Sequence, residues 1–378
     1  MANLTGEERA LRDMVRSFCA REVAPAVPGM EADDAFPTDL FRRAGEVGLL
    51  GLYVADAFGG ADAGDTAFMI VSEELARTSA SFAVAVSCHV GVSTLPIVVG
   101  GADAVRARLL PGLASGRLIG GFALTEPDTG SDAGALRTRA VLRGDRWILD
   151  GVKTLITNGA EADTFVVMAR TGPGRGAAGI SAFVVERDAP GLTVGKPMAK
   201  MGLKGNSTTQ LYFEDCAVPR ENLLGSEGEG FRVAMRALDV GRLSVAAISL
   251  GVAKRALEIS LDYASDRTAF GAPIIEYQAL GHRLADVAAE CDLTERYLYD
   301  VARNHGERFV REASVAKLFA SELAGRACDL AVQVFGGMGF MKETEAERLY
   351  RDARVLRIFE GTSEIQRRVI LKELRRRL

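Results

Sequence analysis

The 378-residue sequence predicts an α+β chain in three parts: an N-terminal helical domain over 1–117, a middle antiparallel β domain over 118–228 and a C-terminal four-helix bundle over 229–378. Glycine and proline give the first reason. Residues 1–115 hold 12 glycines, 116–230 hold 19 and 231–378 hold 10, so turns concentrate in the middle. After Pro219 only Pro273 remains, and a long proline-poor stretch rich in Ala, Leu, Glu and Arg favours helix. The second reason is periodicity, helical in the outer thirds and strand-like in short central runs. A hydrophobic content of 48% is ample for a sizeable core.

Thr5 with Glu8 forms a capping box ahead of Leu11, Met14, Val15 and Phe18 on one face, and Pro25 is expected to end this first helix. Helical patterns follow over 38–48, 65–77, 82–90 and 103–113. From Leu118 the period changes. Arg137 to Arg143, the turn Gly144-Asp145, and Arg146 to Asp150 read as a hairpin, and 164–169, 180–186 and 210–214 are β-rich runs between glycine loops. Helical spacing resumes after Phe231 with Met235, Leu238, Leu243, Ile248 and Leu250, then runs through 280–302 and 313–335.

Charge and composition exclude several function classes. A formal net charge of −4 argues against nucleic acid as a partner. Apolar stretches such as Val245 to Ala253 fall short of the roughly 18 residues of a membrane span, so none is expected. Glu7, Glu8, Arg9, Arg12, Asp13 and Arg16 stand where a signal peptide needs an apolar run, which points to the cytoplasm. Cys19, Cys88, Cys216, Cys291 and Cys328 lack metal-ligand spacing and read as buried reduced thiols. His89, His282 and His305 form no HExxH and no i, i+4 pair, so no metal site is expected and a Ser-His-Asp triad has few candidates. Chemistry must then come from carboxylates or a borrowed cofactor.

Several segments could carry it, each with a plain structural reading beside the functional one. Phe122 to Asp132 (FALTEPDTGSD) starts as a strand and becomes a loop dense in hydroxyls, fit to present N–H and O–H groups to a polar ligand or merely to turn. Thr157-Asn158-Gly159 is a similar case, and Asn-Gly is mostly a tight turn. Phe335 to Phe340 (FGGMGF) follows a helix rather than a strand, which makes it a helix-ending glycine turn and not a dinucleotide fingerprint. Ile358 to Ile365 (IFEGTSEI) places Glu360 among apolar neighbours, where a carboxylate gains a raised pKa suited to a general base. Thr362 or Ser363 followed by Glu364 also resembles a helix start. Arg367, Arg368, Lys372, Arg375, Arg376 and Arg377 read as a solvated helix face.

Five of these segments occur in the order and spacing of one family. FALTEPDTGSD at 122–132, GVKTLITNG at 151–159, RTAFGAPIIEYQ at 267–278, QVFGGMG at 333–339 and EGTSEIQR at 360–367 resemble the acyl-CoA dehydrogenases along nearly the whole chain. The resemblance implies a helical domain, a β domain and a second helical bundle, with FAD as cofactor and a homotetramer as the assembly. It implies that Phe122, Leu124, Thr125 and Ser131 lie along the flavin, with Leu155 and Thr157 near its ring. Arg267, Phe270 and Gln278 would meet the FAD of a neighbouring subunit, joined by Gln333, Gly336 and Gly337, where absent side chains would allow close backbone approach. Thr362 and Glu364 would touch the cofactor beside the base. Ser131, Asp239, Arg242 and Gly361 match substrate positions; Asp239 and Arg242 share a helix face, where an intrahelical ion pair is the plain alternative.

The same resemblance implies the reaction. A proton leaves Cα of an acyl-CoA thioester to Glu360 and a hydride leaves Cβ to the flavin, giving a trans-2-enoyl-CoA, with electrons passed on to an electron-transferring flavoprotein. Hydrogen bonds from the base residue's backbone N–H and the flavin ribityl chain would stabilise enolate-like charge. Some relatives carry the base on the helix with the Asp-x-x-Arg pair, but that position here is Gly241. Many members have Trp where this chain has Leu155, which keeps open an oxidase or monooxygenase reacting with oxygen. An FAD-free scaffold protein is a third reading, opposed by Glu360 and Arg267. Ser87, His89 and Val92 would line or support an acyl tunnel, with His89 packed rather than catalytic.

Overall fold

The computed structural model describes residues 4–173, 176–306 and 308–376, so Arg377 of the basic end lies outside the described residues. Helix α1 (Gly6–Phe18) opens on the expected box, with Thr5 Oγ1 accepting from the Glu8 N–H at 3.2 Å and Glu8 Oε2 accepting from the Thr5 N–H at 2.8 Å. Pro25 does not end it. A π-helical stretch, Cys19–Val23, leads directly into α2 (Ala24–Asp33), and Pro25 falls in the first turn of the new segment. A proline without an N–H is tolerated at that position, and the chain leaves the helix only at Asp34, at φ 50.

Next come α3 (Thr38–Glu46), α4 (Gly64–Thr78) and α5 (Ala80–Ser87), the last capped by Ser79 Oγ on the Phe82 N–H. A second π-helical stretch, Cys88–Thr94, continues α5 into α6 (Leu95–Gly100), and α7 (Asp103–Ala114) completes the first third. The continuous helix Ala80–Gly100 is long and apolar enough to cross a membrane, which corrects the reading that no such stretch exists. It is 83% buried inside the protein, wedged between the sheet and the C-terminal helices, so core packing accounts for its apolar composition.

The middle third forms one sheet from β1 (Gly120–Ala123), β2 (Arg139–Arg143), β3 (Arg146–Thr157), β4 (Thr164–Arg170), β5 (Ile180–Glu186), β6 (Leu192–Val194), β7 (Thr208–Pro219) and β8 (Leu223–Leu224). The order is β6-β7-β3-β2-β4-β5-β8, antiparallel except where β4 meets β2 and where β1 lies parallel to β4. The expected hairpin is β2 and β3, with Arg143 opposite Arg146.

Helix α8 (Gly230–Asp266) is 37 residues long and is followed by the small hairpin β9 (Thr268–Ala269) and β10 (Ala272–Pro273). Then α9 (Gln278–Arg303) and α10 (Phe309–Phe335) pack along α8, joined by α11 (Glu345–Ala353) and α12 (Ser363–Arg375). The bundle therefore has the expected four helices, α8, α9, α10 and α12, plus the short α11. Helix α8 also packs against α4, where a Cβ on Gly251 would overlap the Glu73 carbonyl, so glycine sets how closely the helical thirds approach.

Candidate active site

Glu360 and Gly361 stand in succession in left-handed backbone, at φ 53 and φ 88. The glycine adopts this freely, whereas at Glu360 it costs about 1 kcal/mol or more. Buried groups hold the turn: Gln366 Nε2 donates to the Glu360 and Gly361 carbonyls at 3.0 Å each, and Lys317 Nζ donates to the Gly361 carbonyl at 2.7 Å. The turn drives the Glu360 carboxyl inward against α8, where a Cβ on Gly241 would lie 3.1 Å from Oε2 and 3.2 Å from Val92 Cγ1. Oε2 is buried with no partner among the described residues. Burial pushes this carboxyl up to about 7, against the opposing pull of Arg242 and Lys317.

Asp239 and Arg242 do share one face of α8, and there they form the intrahelical ion pair. Both are buried, and Arg242 Nε has no partner among the described residues, which leaves a donor for an anionic or carbonyl group. Burial raises the Asp239 carboxyl, partly offset by Arg242.

On the sheet side, Phe122, Leu124, Thr125 and Thr157 are half-buried and Ser131 is exposed. The loop after β1 is pinned by Glu126, a buried carboxylate that accepts from the backbone N–H groups of Arg137 at 2.6 Å and Thr138 at 2.8 Å and from Lys153 Nζ at 2.8 Å. Burial opposes the Glu126 charge, yet Lys153 and these donors hold its pKa below the usual range, while burial brings Lys153 down to about 8. Thr157 ends β3 beside the π-helical stretch, its carbonyl 4.0 Å from Cys88 Sγ. Leu155 sits at an irregularity in the β3–β7 register, at φ 59, with 58% of its surface exposed. Thr129 Oγ1 is buried without a partner among the described residues.

The Thr157-Asn158-Gly159 segment is a turn with a second role. Asn158, at φ 59 and buried, donates from Nδ2 to the Ala85 carbonyl at 3.0 Å and the Gly120 carbonyl at 3.4 Å, bolting the sheet to the apolar helix. His89 is packed as expected: Nδ1 accepts from the Gly120 N–H at 3.0 Å, so Nε2 donates to the Leu113 carbonyl at 3.0 Å. Burial brings it down to about 4, which keeps the ring neutral. Of the residues expected near an acyl tunnel, Val92 packs against Gly241 and Ser87 bonds Ser244 Oγ at 2.7 Å.

The remaining expected site residues lie elsewhere in the chain. Arg267 follows the end of α8, 25 residues beyond Arg242, which places it about 37 Å along the helix at 1.5 Å per residue. Gln333 is 16 residues beyond Lys317 on α10, about 24 Å away. Arg267, Gln278 and Gln333 are exposed, and no side-chain hydrogen bond or ion pair engages them among the described residues. Phe270 is 100% exposed at the tip of the β9–β10 hairpin. Gly336, at φ 60, turns the chain out of α10 as a glycine turn should. A Cβ on Gly336 or Gly337 would meet nothing within 4 Å, so crowding inside one chain does not require glycine there. Thr362 caps α12 by accepting from the Ile365 N–H at 3.3 Å, and Glu364 is exposed in the first turn.

Sequence reasoning missed Lys317, Gln366, Glu126 and Lys153. Lys317 carried a signal: it interrupts the apolar face of α10 formed by Ala313, Ala316, Ala320 and Ala324, where a cation needs a reason. Among the described residues no group of three or more His, Cys, Asp or Glu is placed to hold a metal ion. The half-buried strand end, the exposed Leu155 and the unpartnered Thr129 hydroxyl fit a planar polar cofactor such as FAD along β1 and the end of β3.

Three family models match the chain: the acyl-CoA dehydrogenase N-terminal domain over 5–117, the middle domain over 121–216 and the C-terminal domain over 228–375. An acyl-CoA dehydrogenase of Bacillus subtilis (strain 168) is 46% identical over 374 residues, covering 98% of this chain and 99% of that protein. Butyryl-CoA dehydrogenase from Megasphaera elsdenii superposes with a TM-score of 0.95 at 36% identity, over 99% of each chain. A chain solved in work on the electron transferring flavoprotein of Acidaminococcus fermentans gives a TM-score of 0.95 at 39% identity, over 98% of each chain.

Proposed function

The chain belongs to the acyl-CoA dehydrogenase family, and from that premise we propose that Glu360 is the base that takes the Cα proton of a bound acyl-CoA. The enzyme is an FAD-dependent oxidoreductase acting on a CH–CH bond; it converts an acyl-CoA thioester to the trans-2-enoyl-CoA and passes electrons to an electron-transferring flavoprotein. FAD, when bound, supplies the hydride acceptor. Everything else is the work of side chains and backbone.

One observation carries the role of Glu360: its Oε2 is buried beside Gly241 and has no partner among the described residues, so a substrate carbon rather than a protein donor completes its surroundings. A carboxyl raised to about 7 holds a proton taken from carbon more readily than an ordinary one does. The Glu360 backbone N–H also lacks a partner among the described residues and can donate to the thioester carbonyl, where enolate-like charge develops. Arg242, with its spare Nε, and Asp239 would receive the CoA portion together with Ser131 and Gly361. Phe122, Leu124, Thr125, Leu155 and Thr157 would hold the flavin. Glu360→Gln keeps shape and removes basicity, so FAD content survives while anaerobic flavin reduction falls by on the order of 10²-fold to 10⁴-fold. A variant bleached as fast as the parent removes Glu360 from this role.

Arg267, Phe270, Gln278, Gln333, Gly336 and Gly337 serve the FAD of a neighbouring subunit in a homotetramer, with Thr362 and Glu364 adjoining the cofactor beside the base. Their support is the long separation along α8 and α10 and the wholly exposed Phe270 ring. Arg267→Ala should lose FAD on gel filtration far more readily than the parent; a monomer that keeps FAD tightly contradicts the arrangement. The three parts meet near 117/118 and 228/229, between α7 and β1 and just ahead of α8. A cytoplasmic location belongs to the same proposal, supported by five unpaired cysteines. A second reading, oxygen as electron acceptor, rests on the exposure of Leu155.

A further inference from the structure

The carbonyl of Gly361 receives two donors, Gln366 Nε2 at 3.0 Å and Lys317 Nζ at 2.7 Å. Gln366 also holds the Glu360 carbonyl, so the left-handed turn is already fastened by a neutral group. A second clamp on the same oxygen, made with a fully buried ammonium, adds little as a fastener and carries the cost of an enclosed charge. What Lys317 brings that Gln366 cannot is the charge itself.

Charged groups face Lys317 from each element around it: Glu360 from the turn, Arg242 from α8, Glu322 from α10 and Glu364 from α12. Glu322 is engaged by Ser363 Oγ at 2.8 Å, Arg357 at 3.4 Å and Arg367 at 3.8 Å. Glu364 is exposed to solvent. Glu360 is thus the carboxyl in this group with an oxygen both buried and unpartnered among the described residues. The other titratable neighbours of Glu360 are Arg242, already paired with Asp239, and the Cys88 thiol, which burial raises to about 12 and so keeps neutral.

We propose that Lys317 is a positioning residue for the base: its ammonium clamps the turn at Gly361 and sets the buried positive field against which Glu360 becomes a carboxylate. This rests on Glu360 being the base. Lys317 Nζ bonds the turn itself, so it acts through Glu360. Burial brings Lys317 down to about 8 and Glu360 up to about 7, so Lys317 is already an ammonium where Glu360 gives up its proton, and each charge favours the other.

The test is the pH profile of anaerobic flavin reduction by an acyl-CoA in the FAD-loaded enzyme. Lys317→Met removes the charge and keeps the length; the limb on which rate rises with pH should move up by about one unit, the usual effect of losing a nearby opposite charge. Lys317→Arg keeps the charge and should leave the limb in place even where rate falls. Gln366→Leu removes a neutral fastener and should lower rate without moving the limb. Proton uptake on binding trans-2-enoyl-CoA, read by calorimetry in buffers of different ionisation enthalpy, should shift with the limb in Lys317→Met. If Met at this site prevents folding, Lys317→Gln carries the same expectation while still donating to Gly361. A neutral variant whose limb and proton uptake match the parent overturns the inference, as do equal shifts in the neutral and Arg variants. If Glu360→Gln itself reduces flavin at the parental rate, the base assignment has failed instead.

Discussion

Gly241 and Glu360 are in contact range across the site: a Cβ at 241 would lie 3.1 Å from the Glu360 carboxyl oxygen. The helix position just before Arg242 and the C-terminal turn therefore compete for the same space. Only one of them can project a side chain there without displacing the other, and in this chain the helix yields. Glycine inside a 37-residue helix costs about 1 kcal/mol relative to alanine, so its presence in α8 has a spatial reason.

Gly241→Ala should consequently separate stability from activity. Helix propensity favours alanine by about 1 kcal/mol, and its methyl must move the carboxyl by a few tenths of an ångström. Thermal stability is expected to hold or rise slightly, FAD content to be unchanged, and flavin reduction to fall by roughly threefold to tenfold, because small misplacement of a reacting group is costly. Stopped-flow absorbance beside a melting curve checks both halves. Parental reduction rates would mean the carboxyl relocates freely and the contact is unimportant.

Leu155 offers a test of the acceptor. It is 58% exposed near the end of β3. Leu155→Trp should shield the flavin edge, slowing reoxidation of the reduced enzyme by oxygen by several-fold while leaving substrate-driven reduction intact. Comparing reoxidation by oxygen and by an electron-transferring flavoprotein measures this. Identical rates for parent and variant with both acceptors would remove residue 155 from the account.

The three-part architecture was legible because glycine density and period both set the middle third apart from its neighbours, and proline nearly vanishes after Pro219. Single features misled where tertiary context overrode a local rule. Pro25 reads as a stop, yet the π-helical Cys19–Val23 places it in a first turn. A helix was read over 82–90, but its full apolar length, Ala80–Gly100, was not, because Ser87, His89 and Thr94 interrupt the run, and the burial of Ser87 and His89 depends on partners such as Ser244 and Leu113 farther along the chain. Glu360 could be singled out from its apolar flanks, but its supports could not. Lys317 and Gln366 reach the turn from positions 44 and 5 residues away from Gly361, a relationship that exists only once α10 and α12 are packed. The same holds for Lys153 and Glu126, 27 residues apart and joined by a buried ion pair. Arg267 and Gln333 were singled out only through resemblance, since both are exposed and no side-chain partner engages them among the described residues.

The raised pKa of Glu360 makes a prediction about stability that is independent of turnover. Burial raises its carboxyl to about 7 in the folded chain against an ordinary value of 4.5. Below 4.5 both folded and unfolded forms are protonated, and the group contributes no pH dependence. Between 4.5 and 7 the folded form keeps its proton while the unfolded form has lost it, so the folded state binds more protons and stability falls as pH rises. Above about 7 both are ionised, and the folded protein bears the full cost of a buried carboxylate. Glutamine at 360 has no proton to lose. The melting temperature of Glu360→Gln relative to the parent should thus be higher at pH 8 than at pH 5, with the gap opening across that interval. Arg242 and Lys317 limit the gap, because each stabilises the carboxylate. Differential scanning calorimetry of both proteins, FAD-loaded and without substrate, reads the quantity directly. A difference in melting temperature that is flat from pH 5 to pH 8 would show that Glu360 titrates like an exposed carboxylate, and the apolar enclosure assigned to its Oε2 would then be wrong.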